Sequence, residues 1–291
     1  MNLLFALTLM IVITALFGVL EYGLHLRNIR SIPIRIHVNG TRGKSSVTRL
    51  IAAGLRANGV RTIAKTTGSL PQVITDEGDE YPVFRPAKAN IIEQLRILAF
   101  ASRAEAKALV IECMALRPQL QSLTELKLIR ATHGVITNVR EDHLDVMGPS
   151  ERQVALALLG STPKNAFLFT AERDYRREFE TAAKDRNSKL MIVEPEEVER
   201  LQNAEMENFR YVEHRENVAL ALKVIETLGY NRETALEGMW KAEPDVGAMA
   251  EFSLEFFGRH LVFVNGFAAN DPESSQSIWS MALERHQEKE N

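Results

Sequence analysis

The stretch His37 to Ser46, HVNGTRGKSS, constrains this chain more than any other. Ahead of it, Ile34, Ile36 and Val38 alternate with Arg35 and His37, the period of a short strand. Behind it, Val47, Leu50, Ile51 and Leu55 recur at helical spacing, and Gly59 marks a stop. Strand, glycine turn and helix in that order aim unpaired backbone N–H groups and the positive end of a helix dipole at one point. That arrangement suits a phosphate. Gly40 and Gly43 permit close backbone approach, Lys44 reaches toward terminal phosphates, and Ser45 can ligate Mg²⁺. The general P-loop pattern asks for a further glycine, separated by four residues from the Gly43–Lys44 pair. Val38 stands there, so the fit is incomplete.

The chain has 291 residues, enough for one large domain or two ordinary ones. Its 35 basic and 38 acidic residues nearly balance, so no global basic excess points to nucleic acid. Cys113 is the only cysteine, which rules out an internal disulfide and fits a cytoplasmic folded part.

The N-terminus differs in kind. Leu3 to Leu20 carries no charge, is apolar on all faces and is long enough to cross a bilayer as a helix. It lacks the basic flank and cleavage site of a secretory signal. Arg27, Arg30 and Arg35 follow it, which predicts an uncleaved single-pass anchor in the cell membrane, with the rest of the chain cytoplasmic.

From Ile34 onward strand and helix patterns alternate, the rhythm of a mostly parallel sheet covered by helices. Strands are expected at 62–65, 107–112, 134–138, 166–170 and 189–193. Helices are expected at 90–102, 118–128, 172–184, 217–228 and 232–240. The segment from Lys65 to Pro86 reads as a polar surface loop near the nucleotide or substrate, and 241–249 as a linker. SLEFF and HLVFVNG flank Gly258-Arg259 as a hairpin, and a helix-like tail closes the chain.

Ligands in such sheets sit at the carboxyl ends of the strands, where Gly40, Glu112 and the segment after Asn138 all fall. Glu112 ends an apolar strand and is as well suited to holding Mg²⁺ as to capping the next helix. Asp142, His143 and Asp145 crowd one strand end in NVREDHLDVMG, where an imidazole and carboxylates can complete a metal site or orient a reacting carboxyl group. His25, His214, His260 and His286 read as surface or packing residues.

The words G-T-x-G-K-S-S and T-N…D-H-L-D resemble the Mur ligase superfamily. NGTRGKSSVTRL, KTTG, VIECMA, NVREDHLDVMGP, PDVGAM and VNGFAANDPESS, behind one membrane helix, are most similar to poly-γ-glutamate capsule synthase subunits of the CapB/PgsB type. The resemblance runs from about Ile34 to Pro272. It implies an α/β fold: a Mur-ligase-like P-loop central domain (31–243) with a mostly parallel sheet. Before it stand a transmembrane helix and juxtamembrane segment (1–30), and after it a truncated C-terminal α/β domain (244–291).

The implied activity is ATP-dependent amide ligation with Mg²⁺, extending poly-γ-glutamate by glutamate through an acyl phosphate. Small membrane subunits of a capsule synthase are the implied partners. The ATP loop implies nucleotide contacts from Gly40, Thr41, Arg42, Gly43, Lys44, Ser45 and Ser46. Asn90 resembles an asparagine near the phosphates, and Asn217 one that helps hold ATP; the family's histidine four residues before the latter is Glu213 here. Ser45, Glu112 and His143 become the implied metal ligands, with Lys44 and His143 at the chemistry.

Two departures stand out. The family's carbamylated lysine, about a dozen residues past D-H-L-D, falls in VALALLG, which has no lysine. The C-terminal region looks short of a full lid, which predicts ATP binding with weak ligation by this chain alone. Two other readings stay open at this level, a different P-loop NTPase and a nucleotide-binding, non-catalytic membrane subunit. So do homo-oligomerisation and the handedness of the glutamate.

Overall fold

The structure, a computed structural model, describes residues 3–68, 70–85, 89–245, 250–266, 275, 276, 279, 280, 282 and 283. Its centre is an eight-stranded sheet. The strands are β1 (Ile34–Asn39), β2 (Thr62–Lys65), β3 (Gln72–Ile74), β4 (Glu80–Pro82), β5 (Ala108–Glu112), β6 (His133–Ile136), β7 (Phe167–Thr170) and β8 (Lys189–Ile192), in the order β4-β3-β2-β5-β1-β6-β7-β8. From β2 to β8 every pairing is parallel, and β1 sits between β5 and β6. β3 and β4 join antiparallel at one edge. The expected polar loop therefore contains two short strands. Val73 and Ile74 supply the apolar part of that pairing, and the turn at Gly78 closes it.

The strands are short apolar runs because both faces are covered. One face packs against α2 (Lys44–Ala57), α10 (Arg215–Thr227) and α11 (Arg232–Trp240). Leu50, Ile51 and Leu55 of α2 are fully buried there, each contributing roughly 1.5–3 kcal/mol of transfer free energy. The other face is covered near β2 and β5 by α3 (Glu93–Arg103) and the end of α1 (Leu3–Ser31). Near β6 and β7 it is covered by α5 (Leu144–Met147), α6 (Glu151–Leu159) and α7 (Arg176–Asp185).

The helix expected over 118–128 divides. α4 (Pro118–Leu123) passes directly into a π-helical turn, Thr124–Ile129, which ends at Arg130 with φ 49°. The wider turn carries Glu125 inward beneath β1, where its carboxylate meets His37. α3 begins at Glu93 rather than Asn90, and α7 at Arg176 rather than Glu172, because Glu172 turns inward to accept from the Val139 N–H. α8 (Pro195–Glu199) and α9 (Asn203–Glu207) are short helices with capping boxes that the pattern did not reveal.

α1 is longer than its apolar run. The segment within Leu3–Ser31 is long and apolar enough to cross a membrane, and no residue of its most apolar window is buried. Its last turns dock on the domain: Arg130 donates to Tyr22 Oη at 2.9 Å, and Ile29 is buried. The expected hairpin is present as β9 (Ala250–Phe256) and β10 (Arg259–Asn265), paired antiparallel. Residues 246–249 of the expected linker, and most of the expected final helix, lie outside the described residues.

Candidate active site

β1 ends at Asn39 and the chain turns at Gly40, whose φ is 130°. A Cβ at Gly40 would stand 2.0 Å from Thr137 Oγ1 and 2.9 Å from the Thr137 nitrogen. Only glycine lets the loop pass the end of β6 so closely. Gly43, with φ 75°, passes Asn217 in the same way. Asn138 braces the turn: its Oδ1 accepts from Thr41 Oγ1 at 2.7 Å and from the Arg42 N–H at 3.0 Å. Thr137 Oγ1 donates to the Arg42 carbonyl at 2.6 Å. The loop is therefore pinned to the strand that leads into D-H-L-D.

Lys44 opens α2 and its Nζ donates back to the carbonyls of Gly40 and Thr41, at 2.7 and 3.0 Å. Ser46 is half-buried in the same first turn. Ser45 Oγ donates to Glu112 Oε2 at 2.8 Å, and the Thr67 N–H donates to the same oxygen at 2.6 Å. Glu112 itself is 2% exposed.

Behind Glu112 lies a charge cluster. Lys65 is fully buried with its Nζ 2.8 Å from Glu93 Oε1, and Arg85 grips the same carboxylate at 2.6 and 3.0 Å. Burial lowers the Lys65 pKa, and the Glu93 partner opposes it. Burial alone would raise Glu93, but hydrogen bonds from Arg85 and Lys65 hold its carboxyl below the usual range. Gln94 Nε2 donates to the Glu112 carbonyl at 3.0 Å, so the start of α3 fixes the end of β5.

His143 occupies the left-handed region, φ 46°, at the start of α5. Its Nε2 lies 3.7 Å from Asp142 Oδ1, and Asp142 Oδ2 lies 3.9 Å from an Arg42 nitrogen. Gly40, Lys44, Thr67, Cys113, Asp142 and His143 line one cavity of about 230 Å³. Glu112 stands behind Ser45 and Thr67 rather than on that lining. Among the described residues no three His, Cys, Asp or Glu side chains are grouped to cage a metal.

The other two asparagines part company. Asn217 is buried beside Gly43, and its Nδ2 donates to Glu213 Oε1 at 2.8 Å. Burial pushes the Glu213 carboxyl up, which favours its neutral form. Asn90 lies apart from the loop: its Oδ1 accepts from the Ile92 N–H, and it lines a neighbouring cleft with Arg85, Glu93 and Arg96. Asn138 and Lys65 both fall in the family-like words T-N…D-H-L-D and KTTG, but neither showed a role in the sequence; the structure makes one the brace of the loop and the other a buried partner of Glu93.

A glycine loop after the inner strand β1 of a mostly parallel sheet, with an acid and a histidine at adjoining strand ends, defines a P-loop-like α/β domain. The family description "Mur ligase middle domain" matches residues 38–243, and "Poly-gamma-glutamate synthase CapB C-terminal domain" matches residues 252–291. The chain is 40% identical over 282 residues to the capsule biosynthesis protein CapB of Bacillus anthracis, covering 96% of this chain and 60% of that one. It is 39% identical over 269 residues to the PGA synthase CapB of Bacillus subtilis (strain 168), covering 92% and 68%. The chain belongs to the Mur ligase family and, within it, to the CapB group.

It spans about two thirds of the length of these relatives. Among solved structures, an FPGS–AMPPCP complex superposes with TM-score 0.66 at 13% identity, over 91% of this chain and 76% of that one. A bifunctional folylpolyglutamate synthase/dihydrofolate synthase with Mn, AMPPNP and L-glutamate bound gives 0.66 at 15%, over 91% and 70%. These two show the fold.

Proposed function

We propose that this chain is the ATP-dependent amide ligase of a poly-γ-glutamate synthase, held at the cell membrane by α1 with its α/β part in the cytoplasm. The observation that carries this is the shared cavity of Gly40, Lys44 and His143, backed by the Ser45–Glu112 pair. The two relatives are named for capsule biosynthesis and PGA synthesis, which supports the polymer as product.

The residues fit a nucleotide with Mg²⁺. Asn138 takes the Thr41 and Arg42 N–H groups, so a triphosphate would find its donors at the first turn of α2, where the helix dipole adds positive potential. Ser45 and Glu112 offer the hard oxygens that Mg²⁺ prefers, while His143 lines the cavity of Gly40 and Lys44, on which neither of those two stands. When bound, Mg²⁺ neutralises charge on the transferring phosphoryl group.

Lys44 leaves the loop carbonyls to pair with the terminal phosphates, adding a fixed positive charge where negative charge grows. Arg42, near Asp142, is placed to meet a phosphate or the substrate's carboxylate. The end carboxylate of the polymer attacks the γ-phosphorus: an O–P bond forms, the bond to ADP breaks, and an acyl phosphate results. The amine of an incoming glutamate then displaces phosphate and loses a proton. Asn217 completes the proposed nucleotide contacts, Asn90 standing in the neighbouring cleft, and small membrane subunits are the proposed partners.

The test is ADP release in membranes, with and without glutamate, for the wild type and Lys44→Ala. A glutamate-dependent rise that the variant lacks is expected. Glutamate-independent hydrolysis, or full activity in Lys44→Ala, would overturn the ligase reading.

A further inference from the structure

Beside the cavity of Gly40 and Lys44 lies a second, larger cleft of about 440 Å³, between the β3–β4 edge and α3. That volume falls within the range of small-molecule sites, about 300–1,000 Å³. Arg85 lines both spaces, so the cleft opens onto the first cavity at this residue. Positions 93, 96, 97 and 100 share one helical face, so α3 turns a carboxylate, a guanidinium and two apolar side chains toward the cleft. Phe84 and Phe100 leave aromatic surface exposed there.

The charges on this lining are uneven. Glu93 is its one anion among the described residues, and Lys65 and Arg85 already hold that carboxylate. Those bonds use Nε and Nη2 of Arg85, which leaves Nη1 for a ligand where the two spaces join. Arg96 is exposed and makes no ion pair or hydrogen bond among the described residues. The chain as a whole carries a net charge of −3, so a cleft with a surplus of guanidinium reverses the sign locally.

We propose that this cleft holds the end of the poly-γ-glutamate acceptor, with Arg96 binding a pendant α-carboxylate and Arg85 guiding the terminal residue toward Lys44. This rests on the ligase reading given above. Each repeat of a γ-linked chain is an amide, two methylenes and a carbon that bears a free carboxylate. The methylenes match the apolar wall, and the carboxylates match planar guanidinium forks. Arg85 and Lys44 line one cavity, so a chain laid along the cleft brings its terminal carboxylate to the place proposed for the phosphates.

The test uses the full chain in detergent with AMPPNP present. The probe is a γ-linked glutamate oligomer, fluorescently labelled at its amino end and read by anisotropy. Arg96→Ala is expected to weaken oligomer binding at least about tenfold, and Arg96→Glu further, while AMPPNP affinity stays unchanged. Arg96→Lys should recover part of the loss, since the charge returns without the fork. An α-linked oligomer of equal charge should bind more weakly, because its backbone lacks the methylenes. Wild-type oligomer affinity in both Arg96→Ala and Arg96→Glu would overturn the cleft as acceptor site, and equal affinity for the α-linked oligomer would overturn its match to a γ-linked chain. ADP release by the wild type separates the two readings. If release depends on glutamate while Arg96 proves indifferent, the ligase stands and the cleft assignment falls. If release needs no glutamate, the ligase reading falls and takes the acceptor site with it.

Discussion

Ser45 donates its hydroxyl hydrogen to Glu112 across 2.8 Å, joining the first turn of α2 to the carboxyl end of β5. These residues are far apart in sequence and belong to adjacent strand-end structures only because β5 pairs with β1. The bond sets a phosphate-loop hydroxyl and a buried carboxylate at one distance before any ligand arrives.

Glu112→Gln is therefore expected to act twice. One Glu112 oxygen takes two donors, and the amide oxygen that replaces it keeps both bonds without the negative charge that strengthens them. The expected cost is about 1–3 kcal/mol of stability, read by chemical denaturation, together with loss of Mn²⁺ binding. Ser45→Ala is expected to cost less in stability, about 1 kcal/mol. Wild-type Mn²⁺ affinity in Glu112→Gln would count against the cation role.

Gly40→Ala is expected to abolish nucleotide binding. The methyl would collide with Thr137 in a backbone conformation that L-residues rarely adopt. The destabilisation is expected to exceed roughly 1 kcal/mol. Calorimetric titration with AMPPNP, beside the melting temperature, separates a loop that has moved from a domain that has unfolded.

His37 sits under the loop with Nδ1 2.8 Å from Glu125 Oε2, both side chains essentially unexposed. Burial opposes its protonation, but the Cys113 sulfur and the Glu125 carboxylate outweigh it and raise the imidazole to about 10. A pKa raised on folding stabilises fully below the ordinary value near 6.5 and is lost as pH climbs through about 10. Wild-type stability should fall over that alkaline window. Glu125→Gln should lower stability by about 3–5 kcal/mol at neutral pH and flatten the fall. An unchanged alkaline limb in that variant would sink the assignment.

His133 gives the opposite slope. It stacks on Phe167 at 5.4 Å with planes 6° apart. Burial, then the nearby Arg35 charge, lowers it to about 4. Its contribution is present above the ordinary value near 6.5 and is lost as pH drops through about 4. Melting curves between pH 4 and 7 should decline toward acid in the wild type and less steeply in His133→Phe.

The sequence carried the glycine turn, the anchor-like helix and the β–α alternation, because each is a local pattern: φ > 0 positions, an unbroken apolar run, periods of two and 3.6. It also placed Lys44 and His143 at strand ends, and the structure sets both on one cavity wall. It did not carry the β3–β4 pairing, whose strands are three residues each and too short to show a period. Nor did it carry the π-helical turn at Glu125, since one extra residue in a helical ring leaves the apolar spacing almost unchanged.

What the residues determined alone was a glycine turn between strand and helix on a mostly parallel α/β frame, since backbone sterics and hydrophobic period act over a few positions. What only the tertiary structure decided was who meets whom: Ser45 with Glu112, Gly68 with Asp245, Lys65 with Glu93. Those meetings depend on strand order and on which buried charge finds a partner, and both are fixed by packing between segments distant along the chain.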